Sequence, residues 1–261
     1  AKLIADQVTP GKKYKYEIFI NDLKVERDYT MEFQTQKLWK WRTDPPDVNF
    51  VIGSCSYINE PQFDRPGKPY GNNFEIFNSI NNKNPDFMLW LGDNTYLREP
   101  DWNSRTGFIK RYSHTRALAE LQPLLASTHH YATWDDHDFG PNNSDGSFWL
   151  KETASEIFKL FWGNPNYDVT GNGGITGFFQ WSDLDFFLMD NRYHRTSNNN
   201  FTENRQLLGK NQIDWLINAL SFSEAPFKFI AIGGQVISSG VVYENYATYP
   251  EERKYLLDKI R

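Results

Sequence analysis

The chain has 261 residues and a formal net charge of −5, and hydrophobic residues make up 39% of it. This composition supports a sizeable core and excludes a wholly disordered chain. The net negative charge does not suit a nucleic-acid-binding protein, which needs a basic face. No apolar stretch approaches the roughly 18 residues of a membrane-spanning helix. Because Cys55 is the single cysteine, intramolecular disulfides are also excluded.

The first part of the chain has the alternating pattern of short β-strands. Strand-like segments lie at 14–20 and 29–35, and turn residues separate them. These are too few strands to form a stable domain alone. We predict that residues 1–45 are the last strands of a small β domain with a linker, and that residues 46–261 form a larger domain.

In the larger domain, apolar strands alternate with helical patterns. The predicted strands are 49–55, 86–93, 129–136 and 227–234, together with a hairpin at 177–192. The predicted helices are 72–85, 107–127, 153–163, 210–220 and 250–260. Continuous apolar strands that alternate with helices indicate an α/β fold in which helices cover both faces of the sheet structure.

Several of these strands end on polar residues. They are Cys55, Asp93, the pair Asp135 and Asp136, and the pair Asp190 and Arg192. Ligands of open α/β sheets bind outside the carboxyl ends of the strands, so we expect these side chains to converge.

Carboxylates that are brought together repel one another, and a bound cation relieves that repulsion. A site that includes a thiolate and a phenolate suits iron or zinc, whereas an Asp- and Asn-rich site suits calcium, magnesium or manganese. Each motif alone also has a structural explanation, since Asp residues cap helices and a lone Cys often packs as a small apolar residue. Their joint occurrence at successive strand ends favours a metal site.

Motifs of other catalytic classes are absent from the sequence. There is no Gly-x-Ser-x-Gly elbow and no glycine-rich phosphate loop followed by Lys. No Cys-x-x-Cys or His-Glu-x-x-His zinc pattern is present either.

Five segments together resemble the PhoD-like alkaline phosphatase/phosphodiesterase family, one of the calcineurin-like metallophosphatases. They are GSC at 53–55, LGDNTY at 91–96, WDDHDFGPN at 134–142, MDNRYHR at 189–195 and YENYATYPEER at 243–253. The resemblance runs from about residue 14 to the end of the chain, in the order of the family.

The resemblance implies a four-layer αββα metallophosphatase-type sandwich, preceded by the remnant of a small N-terminal β-sandwich domain. It also implies a binuclear-type centre with Fe³⁺ and Ca²⁺, or with Zn²⁺, Mn²⁺ or Mg²⁺. The family pattern continues to a further strand that ends in Gly-Asp-x-His and supplies metal ligands. That motif does not occur among the 261 residues, so we expect an incomplete metal shell.

The resemblance also implies metal ligands at five positions. Cys55 and Tyr96 match ligands of ferric iron, and Asp93 matches the carboxylate that bridges two metals. Asp136 and Asn142 match ligands of the second, calcium-type site.

Three further residues match catalytic positions of the family. His137 is similar to the histidine that protonates the leaving oxygen, and Asp138 to the acid that orients it. Arg192 resembles an arginine close to the phosphate. We expect the neighbouring carboxylates to raise the pKa of His137 and to help it keep its proton.

The expected function is metal-dependent hydrolysis of small phosphate monoesters, diesters or both, through metal-activated water and without a covalent enzyme intermediate. By resemblance, the location is periplasmic or extracellular. Two alternatives stay open. One is another metal-dependent hydrolase on this scaffold, such as a nuclease or a phospholipase D-like enzyme. The other is a non-catalytic calcium-binding module.

Overall fold

The computed structural model describes residues 2–64, 66–67, 73–201 and 205–261. The strands are β1 Lys13–Lys15, β2 Phe19–Ile20, β3 Leu23–Lys24, β4 Glu32–Gln34, β5 Phe50–Gly53, β6 Phe87–Leu91, β7 His129–Thr133, β8 Gly177–Trp181, β9 Leu184–Leu188 and β10 Phe227–Ala231. The helices are α1 Glu75–Asn81, α2 Arg105–Arg116, α3 Gln122–Ser127, α4 Asp136–Phe139, α5 Lys151–Phe161, α6 Lys210–Phe222 and α7 Pro250–Lys259, with a short 3₁₀ helix at Tyr246–Thr248.

Two three-stranded sheets form the centre of the molecule. The first has the order β5-β6-β7, and all of its strands are parallel. The second has the order β10-β9-β8, in which β10 is parallel and β8 antiparallel to β9. The predicted hairpin at 177–192 therefore corresponds to β8 and β9.

The two sheets pack face to face through an aromatic core. Phe87 of the first sheet and Phe186 of the second lie with ring centroids 5.3 Å apart, and the rings of Phe179 and Phe186 stack at 4.5 Å. Neighbouring residues on the same strands point the other way, since side chains alternate along a strand. The central strands β6 and β9 are therefore buried on both faces, which explains their largely apolar sequences.

Helices cover the outer face of each sheet at its central strand, whereas residues of the edge strands β5 and β10 are exposed. Trp90 of β6 packs in one cluster with residues of α1 to α5, including Phe108 and Phe158. Phe187 of β9 packs in a second cluster with residues of α6 and α7, including Leu216. The layers are thus helix, sheet, sheet and helix. This arrangement is the αββα sandwich that the resemblance predicts.

Two of the predicted helices differ from those observed. The prediction at 107–127 corresponds to α2 and α3 with a break between them, because Pro123 lacks an amide hydrogen and is tolerated only in the first turn of a helix. The prediction at 72–85 is shortened to α1, and its first residue, Asn72, lies outside the described residues.

The N-terminal strands form two small antiparallel pairs, β1 with β4 and β2 with β3. Polar contacts connect them to the larger part of the chain. The Tyr16 hydroxyl donates to the carbonyl of Ala126 at 3.0 Å, and Gln36 Nε2 donates to the carbonyl of Gln180 at 2.9 Å. The division into domains at residues 45 and 46 stays a prediction.

None of the helices in the described residues has the length and apolar character that crossing a membrane requires.

Candidate metal centre

The loops that follow β5 and β6 run side by side at the carboxyl edge of the first sheet. The amide of Cys55 donates to the carbonyl of Gly92 at 3.1 Å, and the amide of Ser56 donates to the carbonyl of Asp93 at 2.8 Å. Cys55 and Asp93 both have a left-handed backbone, with φ values of 57° and 53°. Non-glycine residues rarely adopt this conformation, and it is concentrated at functional sites.

The loops that follow β6 and β7 approach even more closely, and Gly92 makes this possible. Its φ is +97°, and a Cβ atom at this position would lie 2.8 Å from Cβ of Asp135 and 3.0 Å from its backbone nitrogen. Only glycine fits here. The acidic residues that follow β6 and β7 are therefore held next to each other.

Asp93 lies where the predicted ligands meet. Its Oδ2 atom lies 3.2 Å from the Tyr96 hydroxyl and 3.8 Å from Sγ of Cys55. Its Oδ1 atom lies 3.4 Å from the backbone nitrogen of His137, and the imidazole of His137 stacks on the Tyr96 ring at 4.4 Å. The structure thus brings together a thiol, a phenol, a carboxylate and an imidazole from three successive strand ends.

Asp136 is placed by the start of α4. The amide of Asn143 donates to its Oδ2 atom at 2.6 Å, which ties the loop after α4 back to the helix. Asn142 precedes that amide in the same loop, and its side chain is exposed. Its predicted role as a ligand stays a prediction.

Two groups of ligand atoms have the spacing that a cation requires. Asp93, Asp136 and His137 form one group, and Asp135, Asp136 and Glu244 form the other. Within each group the ligand atoms lie within 4.8 Å of one another. Asp136 belongs to both, so two neighbouring cations could share it.

The electrostatics of this cluster also suit a cation. Burial, followed by the charges of Asp136 and Asp135, raises the pKa of Asp93 to about 9. A carboxylate with such a pKa is destabilised in its charged form, and a positive ion at the cluster would reverse that effect. The donors present therefore fit a metal centre.

The pKa of His137 differs from the expectation. It lies below the usual value for histidine, because burial disfavours the imidazolium more than Asp136 favours it. The neighbouring carboxylates act in the expected direction, but burial outweighs them, so the net pKa shift of His137 is downward and the expected protonated form is not favoured. Within the described residues, the buried Nδ1 atom of His137 has no hydrogen-bond partner.

Asp138 is fully buried, and its carboxylate contacts the backbone. It accepts hydrogen bonds from the amides of Thr95 at 2.9 Å, Asp135 at 3.1 Å and Asn94 at 3.2 Å. These bonds link the loop after β6 to the first turn of α4. The proposed orientation of His137 by Asp138 stays a prediction.

Arg192 is only 1% exposed and is held by acidic partners. Its Nε donates to Asp135 Oδ1 at 2.7 Å, and its Nη2 donates to the same carboxylate. Its Nη1 donates to the carbonyl of Ser144 at 3.2 Å and forms an ion pair with Glu244. Arg192 therefore positions Asp135 and Glu244 beside the cluster, and its predicted contact with a phosphate stays a prediction.

Glu244 was not among the predicted ligands, although it lies in one of the five family-like segments. Its carboxylate lies between Arg192 and Arg195 and is close to Asp135 and Asp136. The sequence signal was the segment YENYATYPEER itself. Because no strand end marks residue 244, its convergence with the cluster could not be inferred from the pattern of strands.

Comparisons with known proteins agree with this geometry, although no family model matches the chain. The chain is 22% identical over 307 residues to alkaline phosphatase D of Bacillus subtilis (strain 168), covering 98% of this chain and 50% of the relative. The resemblance to PhoD-like proteins that the motifs predict is confirmed.

Two solved structures share the fold. A structure of PhoD matches with a TM-score of 0.75 at 19% identity, covering 98% of this chain and 55% of that protein. A purple acid phosphatase from seeds of yellow lupin (Lupinus luteus) matches with a TM-score of 0.53 at 14% identity, covering 86% of this chain and 36% of that protein. The metallophosphatase-type α/β fold is confirmed. The chain spans about half the length of the PhoD relatives.

Proposed function

We propose that this chain carries the catalytic centre of a metal-dependent phosphatase or phosphodiesterase that hydrolyses small phosphate esters. The observation that carries the proposal is the convergence of the Cys55 thiol and the Tyr96 phenol on the carboxylate of Asp93, with Asp136 and the His137 imidazole in the same group. The similarity to alkaline phosphatase D supports the reaction class. The exported location that this resemblance implies stays a prediction.

The donor types suggest how two cations would be held. Cys55 and Tyr96 offer a thiolate and a phenolate, which suit ferric iron, and Asp93 would lie between the two ions. Asp136, with Asn142 and Glu244 nearby, offers oxygen donors that suit calcium. When bound, such ions polarise a phosphoryl oxygen and activate a water molecule near neutral pH.

The chain's own residues would orient the substrate and move the proton. His137 lies in one group with Asp93 and Asp136, and we propose that it protonates the leaving oxygen instead of binding a metal. Because burial lowers the pKa of His137 and favours the neutral imidazole, this role requires His137 to take up a proton before it donates to the leaving oxygen. Arg192 would hold Asp135 and Glu244 in place through its buried ion pairs.

The test is hydrolysis of para-nitrophenyl phosphate and of its bis ester, measured before and after removal of metals with a chelator. We expect activity on at least one of the two esters, loss of that activity in the chelated protein, and recovery when iron and calcium are returned. Elemental analysis would report the metal content of each sample. Equal hydrolysis with and without metals would contradict the proposal.

Asp214→Asn provides a matched control for variants of the cluster. Asp214 lies on α6 and forms an exposed pair with Lys210, away from the acidic cluster. This variant should keep both its metals and its activity.

A further inference from the structure

The ring of Tyr96 is surrounded by three side chains. The imidazole of His137 stacks on it at 4.4 Å, and the ring of Tyr57 contacts it at 4.7 Å with an interplanar angle of 62°. The guanidinium carbon of Arg98 lies over it, 5.5 Å from its centroid. The position of the phenol oxygen beside Asp93 therefore depends on how firmly these neighbours hold the ring.

Arg98 is itself held by an acidic residue from a different loop. Its Nε donates to Asp64 Oδ1 at 2.8 Å, and the side chains of the two residues are only 16% and 4% exposed. The guanidinium also lies 4.9 Å from the centroid of Tyr57. A guanidinium fixed by a carboxylate has little freedom to rotate, so it can restrain the aromatic rings that it covers.

The backbone between Tyr96 and Arg98 is fixed as well. Leu97 is completely buried, and its amide donates to the carbonyl of His137 at 3.1 Å. Tyr96 and Arg98 flank this anchor on either side. The segment therefore presents the phenol and the guanidinium from a fixed backbone next to α4.

We propose that Arg98 is a positioning residue, which together with Asp64 fixes the phenol of Tyr96 at Asp93. This inference rests on the proposed function in so far as it takes Tyr96 to be a metal ligand. Partners outside the ligand shell orient the ligands, and their loss typically lowers metal affinity about 10–100-fold. The sequence pattern GDNTYLR places this arginine two residues after the tyrosine.

The first test needs no metal. The ring-flip rate of Tyr96 is measured by NMR in metal-free protein with ¹³C-labelled tyrosine, and its signal is assigned by its loss in Tyr96→Phe. We expect slow flips in the wild type and flips at least about 10-fold faster in Arg98→Met. The matched control is Arg105→Met, since Arg105 forms an exposed pair with Glu156 at another site. A ring flip leaves the phenol oxygen on the rotation axis, so the rate reports how tightly the ring is packed. An unchanged rate in Arg98→Met would show that Arg98 does not restrain the ring and would overturn the inference.

The second test uses iron-loaded protein. The wild type should show a visible absorption band from tyrosinate bound to iron. Arg98→Met should shift that band and bind iron about 10–100-fold more weakly. Arg98→Lys should fall between the two, because it keeps the charge without the planar group. A band and an affinity in Arg98→Met equal to those of the wild type would overturn the positioning role.

The two tests also separate this inference from the proposed function. If the wild type shows no band after iron loading, the assignment of Tyr96 as an iron ligand fails. The ring-flip comparison still decides whether Arg98 restrains Tyr96. Because Arg98→Lys is the milder change, it keeps the comparison possible if Arg98→Met proves unstable, which thermal unfolding would reveal.

Discussion

Two regions of the molecule bury carboxylates, and burial raises the pKa of both Asp93 and Glu252, but the neighbours of the two differ. In the acidic cluster, Asp93 lies among other carboxylates, and burial with these neighbours raises its pKa to about 9. Glu252 lies on α7. It accepts hydrogen bonds from the amides of three residues just before α6, Leu207, Leu208 and Gly209, at 2.7, 2.8 and 3.3 Å. The Tyr246 hydroxyl also donates to it, at 2.8 Å.

The difference shows which carboxylates need an external partner. The protein supplies four hydrogen-bond donors to Glu252, which offset part of the cost of burial, so this side chain can act as a structural connection between α6 and α7. The cluster supplies mainly more negative charge, so a cation bound there would stabilise it. Mutation of the two regions should therefore separate function from stability.

Asp93→Asn should have the largest effect. We expect at least about a 100-fold loss of phosphate-ester hydrolysis, because a proposed metal ligand is removed and even the loss of partners outside the ligand shell lowers metal affinity about 10–100-fold. The metal-free variant should melt about 2–4 °C higher than the metal-free wild type, because one carboxyl group leaves a repulsive cluster. Assays of activity and thermal melting curves test both parts. Unchanged hydrolysis would refute the role of Asp93.

Glu252→Gln should lower the stability of the fold and leave metal binding unchanged. The amide keeps only one acceptor oxygen, so we expect a loss of about 3 kcal/mol in the free energy of unfolding. Metal content per folded molecule should stay unchanged. Chemical denaturation compares this variant with Glu251→Gln, which alters the exposed neighbouring residue. If Glu252→Gln lost metal but not stability, the contrast between the two regions would be wrong.

A smaller effect is expected at His130, whose hydrogen-bond partners fit only the neutral imidazole. Trp90 Nε1 donates to its Nδ1 at 2.9 Å, and its Nε2 lies 3.1 Å from the carbonyl of Leu124. Since the indole can only donate, Nδ1 must be unprotonated. Burial lowers the pKa of His130 to about 4.

The sign of the pH effect follows from this shift. The unfolded chain binds a proton near pH 6.5 but the folded chain only near pH 4, so stability is lost as the pH falls through this interval. At pH 5 the contribution of His130 should be about 2 kcal/mol smaller than at pH 8. His130→Gln, which can make both hydrogen bonds at any pH, should lack this component in denaturation curves. An identical pH dependence in the variant would contradict the neutral assignment.

The sequence predicted the layers of the fold because the signals for them are local. Apolar strands such as Phe87–Leu91 can be predicted from their own residues, and the polar residues after them mark the edge of the sheet where a site can form. The helix α4 was missed because its four residues, Asp136–Phe139, are too few for any helical periodicity.

Other features of the site depend on contacts that are distant in sequence. The lowered pKa of His137 results from burial under neighbouring loops, whereas the local sequence shows only the adjacent carboxylates that act in the other direction. Glu244 reaches the cluster through its ion pair with Arg192, which is 52 positions earlier in the numbering of the chain. Neither property follows from the pattern of the local segment.

The absent side chain of Gly92 has a consequence for the spacing of the cluster. A methyl group at this position would overlap Asp135, so the two anionic loops would have to separate before the chain could fold around it. Their separation is thus limited by a hydrogen atom, and the spacing of the acidic side chains on the two loops is set by this close contact at Gly92. Even the smallest substitution at residue 92 would alter the dimensions of the centre without removing any ligand.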